Sequence, residues 1–150
     1  MKKLLFTPLA FFFLSFILLG TFSCKKSEPT AASAFTWRFD NGTTISANIH
    51  KAFTLSSTIL ATKGSNILSF DVSISLSSFN ANSYTITAGS ANGLTYIDNS
   101  GNSYSATSGT INITSYANSL ISGNFTASVT GSAGGPYPIT GSFTDTPVEF

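Results

Sequence analysis

From residue 34 onward, apolar and polar side chains alternate with a period of two. In a β-strand successive side chains point to opposite faces, so this period predicts strands with one greasy and one wet face. The cleanest run is residues 68–76, where Leu68, Phe70, Val72, Ile74 and Leu76 alternate with Ser69, Asp71, Ser73 and Ser75. Phe35, Trp37 and Phe39 predict another strand, Ile45, Ala47 and Ile49 a third, and Tyr84 with Ile86 a shorter one. Ile111 and Ile113 mark the next. Ile121, Gly123, Phe125, Ala127 and Val129 follow, and Tyr137, Ile139, Gly141 and Phe143 make the last. Residues 52–61 fit either a bulged strand or a short helical turn.

Turn chemistry separates these runs. Asn41-Gly42 stands at hairpin spacing and suits the positive φ of tight hairpin turns; Asn92-Gly93 is a second candidate. Residues 98–102, with Gly101, and Gly134-Gly135-Pro136 are two more. The pattern predicts a single all-β domain of roughly eight to ten strands, mostly a meander, closed as an antiparallel β-sandwich or a small β-barrel. No helix is expected after the N-terminal leader. Closure also deals with edge strands, which few charges protect here.

The N-terminus has a different pattern. Lys2 and Lys3 precede an apolar run over residues 4–22, broken only by Thr7, Pro8, Ser15, Gly20 and Thr21. A short positive segment followed by an apolar stretch reads as a secretory signal helix. The run is nearly long enough to span a bilayer, which takes roughly 20 residues. Its end favours cleavage over an uncleaved anchor: Ser23 is small, Cys24 follows, and Lys25-Lys26-Ser27-Glu28 ends the apolar pattern. This junction resembles the lipobox of bacterial lipoproteins, although Thr21 stands where that box usually has Leu. The resemblance implies a signal peptide over 1–23, removed just before Cys24, whose thiol then carries the lipid. Residues 24–33 follow as a lipidated cysteine and a short polar tether containing Pro29. The β domain occupies 34–150.

Cys24 is the only cysteine. With its thiol lipidated, the domain has none left for disulfides, zinc ligation or nucleophilic attack. From residue 34 on, Arg38, Lys51 and Lys63 face Asp40, Asp71, Asp98, Asp145 and Glu149, a net charge of −2. That balance leaves no basic footprint for nucleic acid. Ser, Thr and Asn must supply the polar surface, and they suit a solvated β surface that can hydrogen-bond sugars or neighbouring macromolecules.

The C-terminal third carries the most specific wording. It runs Tyr104-Ser-Ala-Thr-Ser-Gly-Thr-Ile-Asn-Ile-Thr, then Ile121-Ser-Gly-Asn-Phe-Thr, then Ile139-Thr-Gly-Ser-Phe-Thr. Together with the Ser-Cys leader end, this is similar to a family of small Bacteroidetes lipoproteins of uncharacterised function. The resemblance implies a Ser/Thr/Asn/Gly-rich all-β domain held in the cell envelope, at the outer membrane, with the periplasmic and surface faces both open. It brings no catalytic residues. Near the start the chain departs from the family, since Trp37 precedes Asn41-Gly42 rather than following such a pair.

Candidate chemistry is sparse. His50, the only histidine, falls on the polar side of its strand and reads as a surface residue without a partner. The five acids are scattered, and only distant strands could pair two of them as glycoside hydrolysis requires. Residues 98–102 suggest calcium, but the EF-hand spacing fails and a backbone turn explains the same residues. Trp37, Tyr96, Tyr104, Tyr116 and Tyr137 are the candidate ligand-binding residues, since an aromatic face stacks on a pyranose. Packing in the core or at its rim is the competing role. The sequence therefore predicts no catalytic residue, no metal and no cofactor. It predicts a non-enzymatic binding or structural module whose partners are the membrane, through its lipid, and a glycan or an envelope protein. A barrel holding a small apolar ligand and a glycan-active enzyme are the alternatives.

Overall fold

The computed structural model describes residues 32–132 and 134–150. The leader, Cys24 and most of the tether lie outside the described residues. Ten strands follow: β1 (Ala34–Phe39), β2 (Ile45–Ser46), β3 (Ile49–Phe53), β4 (Thr58–Thr62), β5 (Val72–Ser75), β6 (Ser83–Ile86), β7 (Gly93–Ile97), β8 (Ser103–Ala117), β9 (Leu120–Gly131) and β10 (Gly134–Glu149). The fold is all-β, and no helix occurs among the described residues.

The pairings run in a ring. β3, β4, β5, β7, β8, β9 and β10 are antiparallel neighbours in that order. β10 then returns to β3, in parallel, through Val148↔Ala52 and Glu149↔Phe53. Two further pieces flank the ring, β1 with β2 along residues 139–144 of β10 and β6 along residues 109–112 of β8. One end carries the β4–β5 and β7–β8 connections and the start of β10. The opposite end carries the β3–β4 and β8–β9 turns, residues 76–82 and the end of β10.

Each of the two longest strands serves two neighbours along one edge. β8 pairs β7 through residues 103–105 and β6 through 109–112. β10 pairs β1 through 139–144 and β3 through 148–149. A register shift lies at each change of partner, between Ala106 and Ser108 in β8 and between Phe143 and Thr146 in β10. An extra residue bends a strand and turns its later side chains to the other face. The inward set therefore steps from Phe143 to Thr146 and Val148, all buried. Asp145 takes the left-handed conformation at this bulge (φ 48°), and its N–H donates to Ser122 Oγ at 2.9 Å.

The core is built from rows of inward side chains that cross the sheet. Phe35, Phe143, Gly123 and Ile113 form one row, and Trp37, Gly141, Phe125, Ile111 and Tyr84 the next. The repeated Ile-x-Gly-x-Phe wording of β9 and β10 now has a cause. Antiparallel pairing sets Phe125 opposite Gly141 and Phe143 opposite Gly123, so each ring lies over the other strand's glycine. A β-carbon at Gly123 would come within 2.7 Å of Phe143 Cζ, and one at Gly141 within 2.6 Å of Phe125 Cε1. Phe35 stacks on Phe143 with centroids 5.6 Å apart and meets Phe125 at 6.0 Å and Trp37 at 6.1 Å. Ala52, Ile59, Ile74 and Leu94 form a row on the other wall. Large residues beside small ones let rings interdigitate at crystal-like density.

Several local expectations need correction. Only residues 72–75 of the 68–76 run form a strand. Leu68 is exposed, because the Asp71 carboxylate accepts from Lys63 N (2.6 Å) and Thr62 Oγ1 (3.2 Å) and folds residues 63–71 over the end of β4. Residues 52–61 are neither a bulged strand nor a helical turn: they hold the hairpin between β3 and β4, with Ser57 at φ 48°. The turn after β1 centres on Asp40 and Asn41, both at positive φ, and Gly42 N closes it onto Phe39 O at 2.9 Å. Asn92-Gly93 is not a hairpin turn: Gly93 starts β7, and the positive φ falls on Gly89.

Candidate functional site

Aromatic side chains from four strands meet at the end where β10 begins. Phe39 lies 4.6 Å from Tyr96, 5.0 Å from Tyr104 and 5.4 Å from Tyr137, centroid to centroid. Tyr104 stands 5.9 Å from both Tyr96 and Tyr137. Three of the five candidate aromatics thus come together, with Phe39 as the hub that sequence reasoning placed only in a core strand. Tyr96 and Tyr104 are buried and Tyr137 half-buried, so the cluster closes this end of the interior rather than offering open ring faces. Trp37 is buried one row further in. Its Nε1–H meets no acceptor at hydrogen-bond geometry, though the indole stands close enough to Tyr96 to oppose slightly the rise of that phenol's pKa. Tyr116 is apart from the others, edge-on to Phe79 at 6.1 Å at the opposite end.

Beside the aromatic cluster lies an open cleft of about 510 Å³, lined among others by Thr62, Lys63, Phe70, Asp71, Asp98 and Asn99. The β7–β8 turn supplies one wall. Asp98 Oδ1 accepts from Ser100 N and Asn102 N, both at 2.9 Å, and Oδ2 accepts from Asn102 Nδ2 at 2.9 Å and Tyr104 Oη at 3.3 Å. Gly101 takes positive φ (83°) to close the loop. The Asn102 side chain is the chief cause holding the Asp98 carboxyl below its ordinary pKa; backbone amides and Tyr104 add to this against some loss of hydration. Burial, then the Asp98 and Asp71 carboxylates, raise Tyr96. Loss of hydration and Asp98 raise Tyr104. Both phenols therefore stay protonated, and that of Tyr104 donates to Asp98 Oδ2. Sequence reasoning assigned Asp98 to a turn and Asp71 to a wet face, and nothing in the local wording signalled that the two share a cleft.

His50 does not lie on a polar face. Pairing puts it in the row His50, Ala61, Val72, Tyr96 and Tyr104, and its ring is 6.2 Å from Phe35. Nor does it lack a partner. Ser33 Oγ donates to Asp145 O at 2.8 Å and lies 2.7 Å from His50 Nε2. The hydroxyl has one hydrogen, so Nε2–H is the donor to Ser33 and Nδ1 keeps its lone pair, buried and unbonded. Burial lowers the His50 pKa below its ordinary 6.5. The unfolded chain then binds the proton more readily than the folded one, so stability falls as pH drops through 6.5 toward the lowered value. The urea midpoint is expected to be higher at pH 8 than at pH 5, and His50→Gln is expected to flatten that part of the profile.

No three His, Cys, Asp or Glu side chains converge on a common point among the described residues. No family model matches the chain, and neither does any curated protein or solved structure.

Proposed function

We propose that this chain is a lipid-anchored protein of the bacterial cell envelope whose β domain is a non-enzymatic binding or structural module. The observation that carries the reading of the domain is its filled interior. Phe35, Trp37, Phe125 and Phe143 occupy the middle of the ring and Phe39, Tyr96 and Tyr104 close one end. A small-ligand barrel needs instead a largely pre-formed pocket of roughly 300–1,000 Å³ that encloses most of its ligand. Recognition is then left to surface clefts and loops, where hydroxyls, amides and the Asp71/Asp98 cleft suit a glycan or the polar surface of an envelope protein.

The same cleft weighs against glycoside cleavage. A general acid at neutral pH needs a raised carboxyl pKa, whereas the hydrogen bonds around Asp98 lower it. The anchor rests on the junction at Ser23-Cys24 and its similarity to a lipobox. Expression of the full chain in a Gram-negative host with an alkyne-bearing fatty acid tests it. The wild type is expected to incorporate the label and fractionate with membranes, and Cys24→Ala to do neither; an unlabelled wild type sinks the proposal. A thermal-shift screen of the same protein against glycans and peptidoglycan fragments tests the binding module. A ligand at about 100 times its dissociation constant adds roughly 2.7 kcal/mol, a shift of several degrees.

A further inference from the structure

Four large apolar side chains stand exposed among the described residues, and three of them share one end of the ring. Leu55, 94 % exposed, tips the β3–β4 turn; Phe150, 85 % exposed, follows β10; Tyr116, 37 % exposed, stands near the β8–β9 turn. These positions are neighbours: Thr54 N donates to Glu149 O at 3.0 Å, and Thr54, Phe79 and Tyr116 line one shallow cleft. The rest of this rim is neutral and hydrogen-bonding, with Ser77, Ser78 and Asn80 between the apolar tips. Charge is scarce there. Lys51 is paired with Glu149, and Asp145 is engaged with Ser122. Arg38, Asp40, Lys63, Asp71 and Asp98 stand on the half toward the opposite end. Apolar tips set among hydroxyls and amides, with Lys51 and Glu149 neutralising one another, suit the headgroup and upper acyl region of a bilayer, where apolar groups of interfacial elements sit about 5–10 Å deep.

The start of the domain lies on the same half. β1 begins with Ala34 opposite Thr144, and Ser33 is fastened to Asp145 and His50, so the chain joins the sheet on the half of β10 that runs to Glu149. Eight residues lie between Cys24 and Ser33, nine Cα–Cα steps that span at most about 30 Å when extended. A tether this short holds the domain at millimolar effective concentration against its membrane, so weak insertion is enough to fix an orientation. Resting on the lipid anchor proposed above, we infer that this apolar rim docks onto the anchoring bilayer, leaving the aromatic cluster and the Asp71/Asp98 cleft pointed away from it.

The full acylated chain, reconstituted in phosphatidylethanolamine/phosphatidylglycerol vesicles, provides the test. In a Trp37→Phe background, Leu55→Trp and Leu68→Trp place one reporter at each end, both at exposed sites. Lipids brominated near the top of the acyl chain are expected to quench the Leu55→Trp emission about twofold and to leave Leu68→Trp unchanged, given that depth. Adding Phe150→Asp and Tyr116→Asp is expected to abolish the quenching while the protein still floats with the vesicles. Equal quenching of both reporters, or none, in protein that floats overturns the docking. Protein that fails to float at all refutes the anchor instead, so the two failures are read separately.

Discussion

Gly141→Ala is expected to cost about 3 kcal/mol or more, the top of the range for overpacked cores. The new β-carbon would lie 2.6 Å from Phe125 Cε1, and nearer still to Phe125 Cζ and the Thr36 carbonyl oxygen. The backbone cannot retreat, because β10 is hydrogen-bonded at this level to β1 on one side and β9 on the other. Gly123→Ala meets the mirror situation against Phe143 and the Asn112 carbonyl oxygen. Gly93→Ala is the control: nothing lies within 4 Å of the added carbon and no positive φ is required, so its effect is expected within about 0.5 kcal/mol. Urea unfolding followed by the emission of Trp37, the only tryptophan, measures all three. Phe125→Ala in the Gly141→Ala background should be less damaging than the sum of the two single changes, since removing the ring relieves part of the clash. Strict additivity would mean that the ring does not rest on the glycine.

These glycines mark what the sequence could and could not disclose. The alternation over Phe35, Trp37 and Phe39 and over Ile121 to Val129 was legible because no bulge interrupts the inward phase there. In β8 and β10 the phase flips where each strand changes neighbours, which only the partners explain. The 68–76 run misled for another reason. Its polar member Asp71 has backbone and hydroxyl donors waiting at the end of β4, and tertiary bonding overrode local pattern. His50 was misplaced by one residue of phase, since Ala52 rather than Ile49 faces the interior of β3. Of the candidate site, the aromatic residues were legible as a composition but not as a cluster. Phe39, Tyr96, Tyr104 and Tyr137 come from strands spread along the whole domain, and it is the β1–β10–β9–β8–β7 succession of pairings that brings them to one end.

Closure itself rests on few contacts, and that sets the second large expectation. Removing residues 148–150 deletes both members of the β10–β3 pairing on the β10 side. It takes away the burial of Val148, about 2 kcal/mol, and the bonds Val148 N→Ser119 O and Thr54 N→Glu149 O, about 1 kcal/mol each. A loss of about 4 kcal/mol is expected, a large part of what a domain of this size possesses. Removing Phe150 alone should be nearly neutral, since its side chain is exposed. Lys51→Ala separates the ion pair from the backbone pairing: Lys51 and Glu149 are 37 % and 45 % exposed, so solvent screens them and at most about 0.5 kcal/mol is expected. The truncated protein also exposes the unpaired edge of β3, a template for pairing with another chain. Concentration-dependent association in gel filtration should therefore accompany the lower midpoint. A truncated chain that keeps its midpoint and stays monomeric would mean that the β9–β10 and β8–β9 ladders hold the domain without the ring, and that the parallel pair contributes little.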